Sequence, residues 1–319
     1  MKSEITIAGI TVKSGEKVST YVNVPGTDYS FPVTIINGTD DGKKLLASAG
    51  IHGWEYPGIL ATLRVAEAVD PKDVRGAIIL PHIINISGFE ERQTYVVPSD
   101  EKRQNLNRMY PGTPDDDTLA GKIVRFTTSI AENCDFHIDL HSGDAVEDLQ
   151  PIVIVGNGQG PELEESIAAA KVTCFPYRMI SGGQPEYYNS TIINLHKPAL
   201  LFERGGNGVY TEEEVEDDKN DILAIARFLG ILQGEVSENA DQIFVDQKTW
   251  LEADATGMYI PFAKAGDMVS EGQKLYEIRD IWGNLLREEF ARYDARIFIT
   301  PNTLAIKKGD DTVMYGHLS

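Results

Sequence analysis

The sequence predicts an α/β fold with a mixed, largely parallel central sheet, helices on both faces, and a small C-terminal all-β domain. Two observations support this prediction. Between about residues 45 and 230, apolar runs of strand length alternate with stretches of helical spacing, which is typical of strand–helix–strand units. After about residue 234 the helical periodicity ends, and short strands alternate with Gly-Asp turns. We therefore predict two domains, residues 1–236 and residues 237–319.

The composition is that of an acidic protein with ample material for a core. The 319 residues are 42% hydrophobic, and 49 acidic against 29 basic side chains give a formal charge of −20. This charge would repel nucleic acid and anionic membranes, so we expect neither as a partner. We expect a cytoplasmic protein, because no apolar run has the length of a membrane span and the N-terminus alternates like a strand. Cys134 and Cys174 stand singly, which favours reduced thiols.

The first elements are short strands, in the segments ITIAGITV, KVSTYVNVPG and FPVTII. The next strand, LLASAGI, stops at His52, and ILATLRVAEAV has the apolar spacing of a helix, which Asp70-Pro71 ends. RGAIILPHIIN is then a β-branched core strand. Its His82 is interpreted as a packed or hydrogen-bonded residue, because no carboxylate is spaced to be its partner. Strand, helix and strand in this order favour parallel pairing.

Two further strands end in residues that can carry chemistry. The long polar segment 87–118 comes before them, and a loop of this length inside a compact domain is often functional. A helix is predicted over residues 119–133, and FHIDLHSGD is then a strand that ends at His141. KPALLFERGG is a later strand that ends at Glu203. Sites in parallel α/β sheets gather at the carboxyl ends of the strands, so we expect both side chains at one edge.

His52 and Glu55 lie where the first buried strand turns into a helix. Side chains three apart on a helical turn share a face, with β-carbons about 5–6 Å apart, which suits two ligands of one metal ion. Gly53 would let the chain turn so that both side chains face the ion. The alternative is an acid favoured by the positive end of the helix. A His-x-x-Glu match is common, so it carries little weight alone.

With His141 as a third ligand, the pair completes the set of three protein ligands that catalytic zinc sites often use. Glu203 is then a candidate general base, although Arg204 could instead be its counter-ion. Asp139 shares a strand face with His141 and could support it. Residues of the long polar segment could hold a substrate carboxylate, because guanidinium groups bind carboxylates in a bidentate manner; these are Arg103, Asn107 and Arg108.

Four motifs in order, HGWE (52–55), NLNR (105–108), DLHSG (139–143) and FERGG (202–206), resemble the succinylglutamate desuccinylase/aspartoacylase family of the zinc carboxypeptidase-like clan. The resemblance implies one zinc ion held by His52, Glu55 and His141. It implies Glu203 as the base that takes a proton from the attacking water and returns it to the departing amine. Asn107 and Arg108 would bind a substrate carboxylate, and Arg103 is the candidate for an upstream family arginine. The family's aromatic substrate contact has several candidates: Tyr187, Tyr188, Tyr210 and Tyr293.

These observations predict a zinc-dependent hydrolase that cleaves the amide bond of an N-acylated amino acid or a similar small carboxylate substrate. One alternative is a metallocarboxypeptidase that acts on peptides with the same site in a more open cleft. A non-catalytic binding protein on this fold would need a missing ligand or base, and the sequence contains all of them. The C-terminal part resembles lipoyl-like, barrel-sandwich folds. It lacks the Met-Lys-Met or Asp-Lys-Ala tripeptide of a carrier, which favours a structural or lid role.

Overall fold

The computed structural model describes residues 3–98, 104–182 and 185–319. Within them the α-helices are α1 Tyr56–Ala68, α2 Ile86–Glu91, α3 Leu119–Glu132, α4 Pro161–Ala170, α5 Tyr187–Asn194 and α6 Glu212–Phe228. The strands up to the middle of the chain are β1 Ile5–Ile7, β2 Ile10–Val12, β3 Glu16–Asn23, β4 Ser30–Asn37, β5 Asp40–Ala49, β6 Arg75–Pro81, β7 Phe136–His141, β8 Glu147–Leu149, β9 Ile152–Val155, β10 Tyr177–Ile180 and β11 Ala199–Glu203. The later strands are β12 Ile243–Glu252, β13 Gly257–Pro261, β14 Met268–Val269, β15 Lys274–Arg279, β16 Leu285–Phe290, β17 Ala295–Pro301, β18 Ala305–Ile306 and β19 Asp311–Leu318.

Most of these strands form one long mixed sheet, in the order β14-β17-β19-β12-β10-β9-β11-β7-β5-β6-β4-β3, with β8 beside β17. Its centre is largely parallel, because β5 pairs in parallel with β6 and β7, β7 with β11, and β10 with β9 and β12. The pair β9–β11 is antiparallel. Glu203 of β11 lies directly opposite His141 of β7, so the two strands end side by side.

Helices cover both faces of the sheet, as predicted. One core contains Phe136, Ile138 and Leu140 of β7 together with apolar residues of α1, α4 and α6. The other core joins α3 to the N-terminal strands. The side chains of the intervening β7 residues, His137 and Asp139, form hydrogen bonds instead of joining either core. The first core therefore packs one face of β7, and hydrogen bonds position the side chains on its other face.

The helix ends follow capping chemistry. Thr118 caps α3 by accepting the N–H of Gly121, and Thr211 with Glu214 forms a reciprocal capping box at the start of α6. α1 instead begins with Pro57 in its first turn, where a missing N–H costs no helical hydrogen bond. None of the helices in the described ranges is both long and apolar enough to cross a membrane.

The C-terminal part is all-β, as predicted. β13, β15, β16 and β18 form a separate four-stranded sheet, and a core of its own contains Leu251, Tyr259, Leu275, Ile297 and Tyr315. However, β12, β17 and β19 continue the central sheet, because β12 pairs in parallel with β10 over Tyr177–Met179. The two predicted domains thus share one sheet, and the boundary between residues 236 and 237 stays a prediction.

Two polar segments contain more regular structure than expected. The long segment 87–118 begins inside α2 and contains a 3₁₀ turn at Leu106–Arg108. The other polar segment begins at residue 187 and forms α5. Its sequence YYNSTIIN is poor in strong helix formers, but Tyr187, Tyr188 and Ile192 are buried, so tertiary packing outweighs the weak propensity.

Candidate active site

His52 and Glu55 lie in the turn between β5 and α1. Glu55 is the N-cap residue of α1, with φ −92° and ψ 84°. The pair therefore lies before the helix begins and not on a turn of the helix itself. His52 Nδ1 is 2.6 Å from Glu55 Oε1. The expectation that Gly53 permits this turn is wrong, since the left-handed residue is Gly50, with φ +67°. A β-carbon on Gly53 would come within 2.1 Å of the Gly88 carbonyl carbon, so Gly53 allows α2 to pack closely.

His141 meets this pair from the end of β7. Its Nδ1 is 2.9 Å from Glu55 Oε2, so the two carboxylate oxygens of Glu55 each face one histidine. The rings of His52 and His141 are 5.0 Å apart between centroids. One ligand atom from each of the three residues lies within 4.8 Å of the others. The fold thus brings the three predicted ligands together.

The far nitrogen of each histidine lies near an oxygen atom. His52 Nε2 is 3.0 Å from Asn105 Oδ1, which also accepts the backbone N–H of Asn107. His141 Nε2 is 3.3 Å from Asp139 Oδ2, an ion-pair distance at which the two atoms do not form a hydrogen bond. A carboxylate only accepts, so each Nδ1 must donate to Glu55 when the two groups are in direct contact. With a metal ion between them, the oxygen near each Nε2 would favour the tautomer whose Nδ1 lone pair binds the ion. Two imidazole nitrogens and a carboxylate are a donor set that suits zinc, so these residues fit the predicted metal.

Glu203 lies beside the three ligands at the end of β11. Among the described residues its Oε2 has no hydrogen-bond partner. Burial raises the pKa of Glu203 well above its usual value, and Glu55 and Glu147 raise it further, whereas His141 lowers it. The alternative that Arg204 is its counter-ion is wrong.

Arg204 points to the other side of the sheet and binds two carboxylates of α6. Its Nη1 donates to Asp218, and its Nη2 donates to Asp221 Oδ2 at 2.8 Å. The guanidinium carbon also lies 3.8 Å from the centroid of the Phe175 ring. Arg204 thus anchors the chain directly after Glu203 to α6.

Asn107 and Arg108 lie together at the cavity, and Arg103 falls outside the described residues. Asn107 is buried and its Oδ1 accepts the backbone N–H of Tyr187 at 2.9 Å, which leaves its amide NH₂ as the group it can offer to a ligand. Arg108 Nη1 donates to the Asn107 carbonyl at 2.9 Å and to Glu186 Oε1 at 3.3 Å.

The tyrosine candidates separate clearly. Tyr188 lines the cavity, whereas Tyr187 is buried with its hydroxyl on the Thr127 carbonyl and Tyr293 bonds to Thr249. Tyr210 is exposed at the surface.

The sequence model of the succinylglutamate desuccinylase/aspartoacylase catalytic domain matches residues 41–229, which is more than half of the chain. The chain belongs to this family. The predicted family and fold class are therefore confirmed, and so is the prediction of a hydrolase that acts on amide bonds, the reaction that both family names denote.

Individual relatives agree with this assignment. The N-alpha-acetyl-L-2,4-diaminobutyric acid deacetylase of Halomonas elongata is 26% identical over 258 residues, which cover 78% of this chain and 74% of the relative. The product-bound ectoine utilization protein EutE (DoeB) of Ruegeria pomeroyi superposes with a TM-score of 0.84 at 23% identity, over 94% of this chain and 95% of that one. A succinylglutamate desuccinylase/aspartoacylase of Rhodobacter sphaeroides gives a TM-score of 0.83 at 21% identity, over 95% of both chains. The two structures share the fold.

The three predicted ligands line a cavity of about 250 Å³. Its wall combines both parts of the chain, because Lys248 and Trp250 of β12 and Asp311 of β19 line it with the residues above. Trp250 Nε1 donates to Asp311 Oδ1 at 2.8 Å, which fixes this wall. A larger outer cavity of about 800 Å³ shares these three residues and Arg108, so they separate the inner space from its approach.

Two acids of the cavity wall follow β7. Asp144 accepts the hydroxyl of Thr94 at 2.8 Å, and Glu147 Oε2 accepts the Asp144 N–H at 2.9 Å. Burial, together with the charges of Asp144 and Glu55, raises the pKa of Glu147 to about 7, although the hydrogen bond from the Asp144 N–H lowers it. Neither these two acids nor the C-terminal wall was predicted from the sequence. Asn105 was part of a quoted motif, but nothing in the motif indicated its contact with His52.

Proposed function

We propose that this chain is a zinc-dependent amidohydrolase that removes the acyl group from an N-acylated amino acid or a similar small carboxylate. The observation that supports this proposal is the convergence of His52 Nδ1, His141 Nδ1 and both Glu55 oxygens beside the Glu203 carboxylate, inside one small cavity. Zinc held by His52, Glu55 and His141 would supply Lewis acidity to the substrate carbonyl and to water.

The remaining chemistry belongs to the protein. Glu203 Oε2 would accept a proton from the attacking water and deliver it to the nitrogen of the departing amine, so no net proton is gained or lost by the enzyme. Burial favours the protonated carboxyl of Glu203, whereas a nearby cation favours the ionised form that a base requires. The amide NH₂ of Asn107 and the guanidinium of Arg108 would hold the substrate carboxylate.

The cavity favours a small substrate over a peptide. Pockets for drug-sized ligands have volumes of about 300–1,000 Å³, and the inner cavity has about 250 Å³. Trp250 and Asp311 form part of the wall between this cavity and the larger one outside it. We therefore place the metallocarboxypeptidase second.

The first substrates to test follow from the comparisons and from the charge of the cavity. The Halomonas relative is named for an N-acetylated diaminobutyric acid, which carries a second amine. Asp144, Glu147 and Asp311 line the cavity here and would attract a cationic amine, whereas Lys248 would oppose it.

The test begins with metal analysis of the purified protein and a screen of zinc-loaded enzyme. N-acetyl and N-succinyl amino acids, including N-acetyldiaminobutyric acid, are compared with C-terminal trimming of peptides. We expect release of a small acyl group and little trimming. Peptide trimming as the main activity would establish the carboxypeptidase, and the absence of any stoichiometric divalent metal would favour a binding protein.

Glu203→Gln tests the base. We expect this variant to retain zinc and to lose about 10²–10⁴-fold in kcat, the usual contribution of a positioned acid–base group. Hydrolysis at the wild-type rate would refute the assignment of Glu203.

A further inference from the structure

A buried chain of hydrogen bonds lies behind the candidate metal centre. Thr191 Oγ1 on α5 is 3.0 Å from His137 Nδ1, and His137 Nε2 is 2.8 Å from Ser48 Oγ. Ser48 Oγ is 3.1 Å from Asp139 Oδ1, whose other oxygen faces His141 Nε2. Ser48, His137, Asp139 and Thr191 are each at most 1% exposed. This hydrogen-bond chain therefore reaches His141, a predicted metal ligand, and is itself shielded from solvent.

The direction of each hydrogen bond follows from the chemistry of the groups. A carboxylate accepts only, so the Ser48 hydroxyl must donate to Asp139. Its oxygen then accepts from His137, which places a proton on Nε2. Burial lowers the pKa of His137 to about 4, so the ring is neutral and its Nδ1 is an acceptor. The Thr191 hydroxyl must donate to Nδ1.

Thr191 has one competing acceptor. Its Oγ1 is also 3.0 Å from the Tyr187 carbonyl oxygen. That carbonyl lies in a helix, where a backbone N–H four residues on can serve it, but Nδ1 of His137 has no such second donor nearby in α5. A buried acceptor without a donor is destabilising, so the proton goes to the imidazole.

We propose that Ser48, His137 and Thr191 are positioning residues for the metal centre. This inference rests on the proposed function, because it needs a metal at His52, Glu55 and His141. The Ser48 hydroxyl holds the Asp139 carboxylate so that Oδ2 faces His141. His137 holds the Ser48 hydroxyl in that orientation, and Thr191 fixes the tautomer of His137. Without this chain Asp139 can rotate, and His141 can lose the tautomer that turns its Nδ1 lone pair toward the ion.

The same helix also touches the substrate side of the cavity. The Tyr187 N–H, one turn before Thr191 in α5, donates to Asn107 Oδ1 at 2.9 Å. The Tyr187 ring packs against His137 with centroids 4.2 Å apart. α5 thus fixes Asn107 through its backbone and the metal centre through Thr191. Removing the hydroxyl groups of this hydrogen-bond chain should therefore weaken metal binding far more than it changes KM.

The protein offers a matched control for this hydrogen-bond chain. His82, directly after β6, is also buried between two hydroxyls, with Nε2 2.8 Å from Thr34 Oγ1 and Nδ1 3.0 Å from Thr62 Oγ1. Burial lowers its pKa to about 4, as for His137. Thr34 and Thr62 have no contact with His52, Glu55 or His141 among the hydrogen bonds of the described residues. Replacing His82 removes the same groups from the interior without disturbing the ligands.

The experiment measures zinc affinity by competition with a chromophoric chelator, for wild type, Ser48→Ala, His137→Leu, His137→Gln and His82→Leu. We expect Ser48→Ala and His137→Leu to weaken zinc binding about 10–100-fold, as loss of outer partners of a metal ligand usually does. His137→Gln retains an amide donor for Ser48 and should recover most of the affinity. His82→Leu should bind zinc as the wild type does, and melting temperatures are compared in parallel.

A second measurement does not depend on the metal. Nitrogen NMR of ¹⁵N-histidine-labelled protein, which has six histidines, reports the tautomer of each ring. We expect His137 to carry its proton on Nε2, and a proton on Nδ1 would overturn the assigned directions.

The outcomes separate the inference from the proposed function. Wild-type affinity in both Ser48→Ala and His137→Leu, or an equal loss in His82→Leu, would overturn the inference while zinc binding by the wild type still supported the function. If the wild type bound no zinc, the function would fail and the inference with it. If His137→Leu did not fold, Ser48→Ala would decide, because it removes a single oxygen atom.

Discussion

Replacing Arg204 by methionine tests whether α6 anchors the end of β11 through charge. Arg204, Asp218 and Asp221 are all at most 2% exposed, and the guanidinium joins both carboxylates. Methionine keeps much of the side-chain volume but removes the positive charge and the two hydrogen bonds. Two carboxylates would then remain in the interior without a cation.

The expected loss follows from this burial. Removing one partner of a buried ion pair costs about 3–5 kcal/mol, because the remaining charge cannot be solvated. The stacking of Arg204 on the buried Phe175 ring adds up to about 2 kcal/mol. Since whole domains are stable by about 5–15 kcal/mol, Arg204→Met should bring the protein close to unfolding. Adding Asp218→Asn and Asp221→Asn removes the stranded charges and should recover a large part of the loss.

Arg204 carries one positive charge and faces two carboxyl groups, so one negative charge is left over. The pKa of Asp218 reflects this excess. Burial, together with the charge of Asp221, raises the pKa of Asp218 from 3.8 to about 7, although Arg204 lowers it. A carboxyl whose pKa is raised by folding stabilises the protein fully below pH 4, and this contribution is lost as the pH rises to about 7. At 1.36 kcal/mol per pKa unit this loss is at most about 4 kcal/mol. The free energy of unfolding of Asp218→Asn should therefore rise relative to that of the wild type as the pH increases from 4 to 7.

The assay is urea unfolding followed by circular dichroism, at pH 4.5 and pH 8. Arg64→Met is the matched control, because Arg64 also joins two carboxylates of α6, Glu212 and Glu216, but at the surface. Water screens exposed ion pairs, so this control should stay near the wild type. If Arg204→Met lost no more than Arg64→Met, the buried anchor would not stabilise the fold and the reasoning would be refuted.

Three further predictions concern the cavity. Chelation should abolish hydrolysis, and zinc at about 100 times its Kd should restore it and raise the unfolding free energy by about 2.7 kcal/mol; unchanged activity in chelator would refute a metal mechanism. Arg108→Lys should raise KM about 10–100-fold at nearly constant kcat, because a charge-assisted hydrogen bond contributes about 1.5–3 kcal/mol, and steady-state kinetics would expose an error if kcat fell instead. Trp250→Ala should shift kcat/KM toward bulkier acyl groups, since it removes the wall held by Asp311; an unchanged preference would show that Trp250 does not limit substrate size.

The meeting of His52, Glu55 and His141 beside Glu203 could be predicted because each position depends on a local pattern and one general rule. His52 and Glu55 are close in sequence, and their turn follows a buried strand. His141 and Glu203 end two strands, and parallel strands bring their carboxyl ends to one edge. The pairing register of β7 and β11 follows that rule, because it places Glu203 opposite His141. The N-terminal strands and the all-β character of the C-terminal part were predictable for the same reason, because they depend on local periodicity.

The wall of the cavity could not be predicted, because it depends on contacts between residues far apart in sequence. Lys248 and Trp250 reach the ligands only because β12 joins β10 in the central sheet. The alternation within β12 would be the same beside any other strand. Asn105 raises a similar difficulty, since its contact with His52 depends on where the segment before Leu106–Arg108 crosses the β5–α1 turn.

The acidic partners of Arg204 could also have been predicted from the sequence. Successive side chains of a strand point to opposite faces of the sheet. Glu203 was placed at the edge with His141, so the next residue had to point away from the cavity, toward whatever helix covers the other face. A charged residue there must find a partner because it is buried, and the acidic helix TEEEVEDDKND follows only a few residues later. The alternation rule therefore excludes Arg204 as the counter-ion of Glu203 and favours an acid of α6, which is the arrangement that the fold adopts. The carboxylate of Glu203 is thereby left without a cation from its own strand.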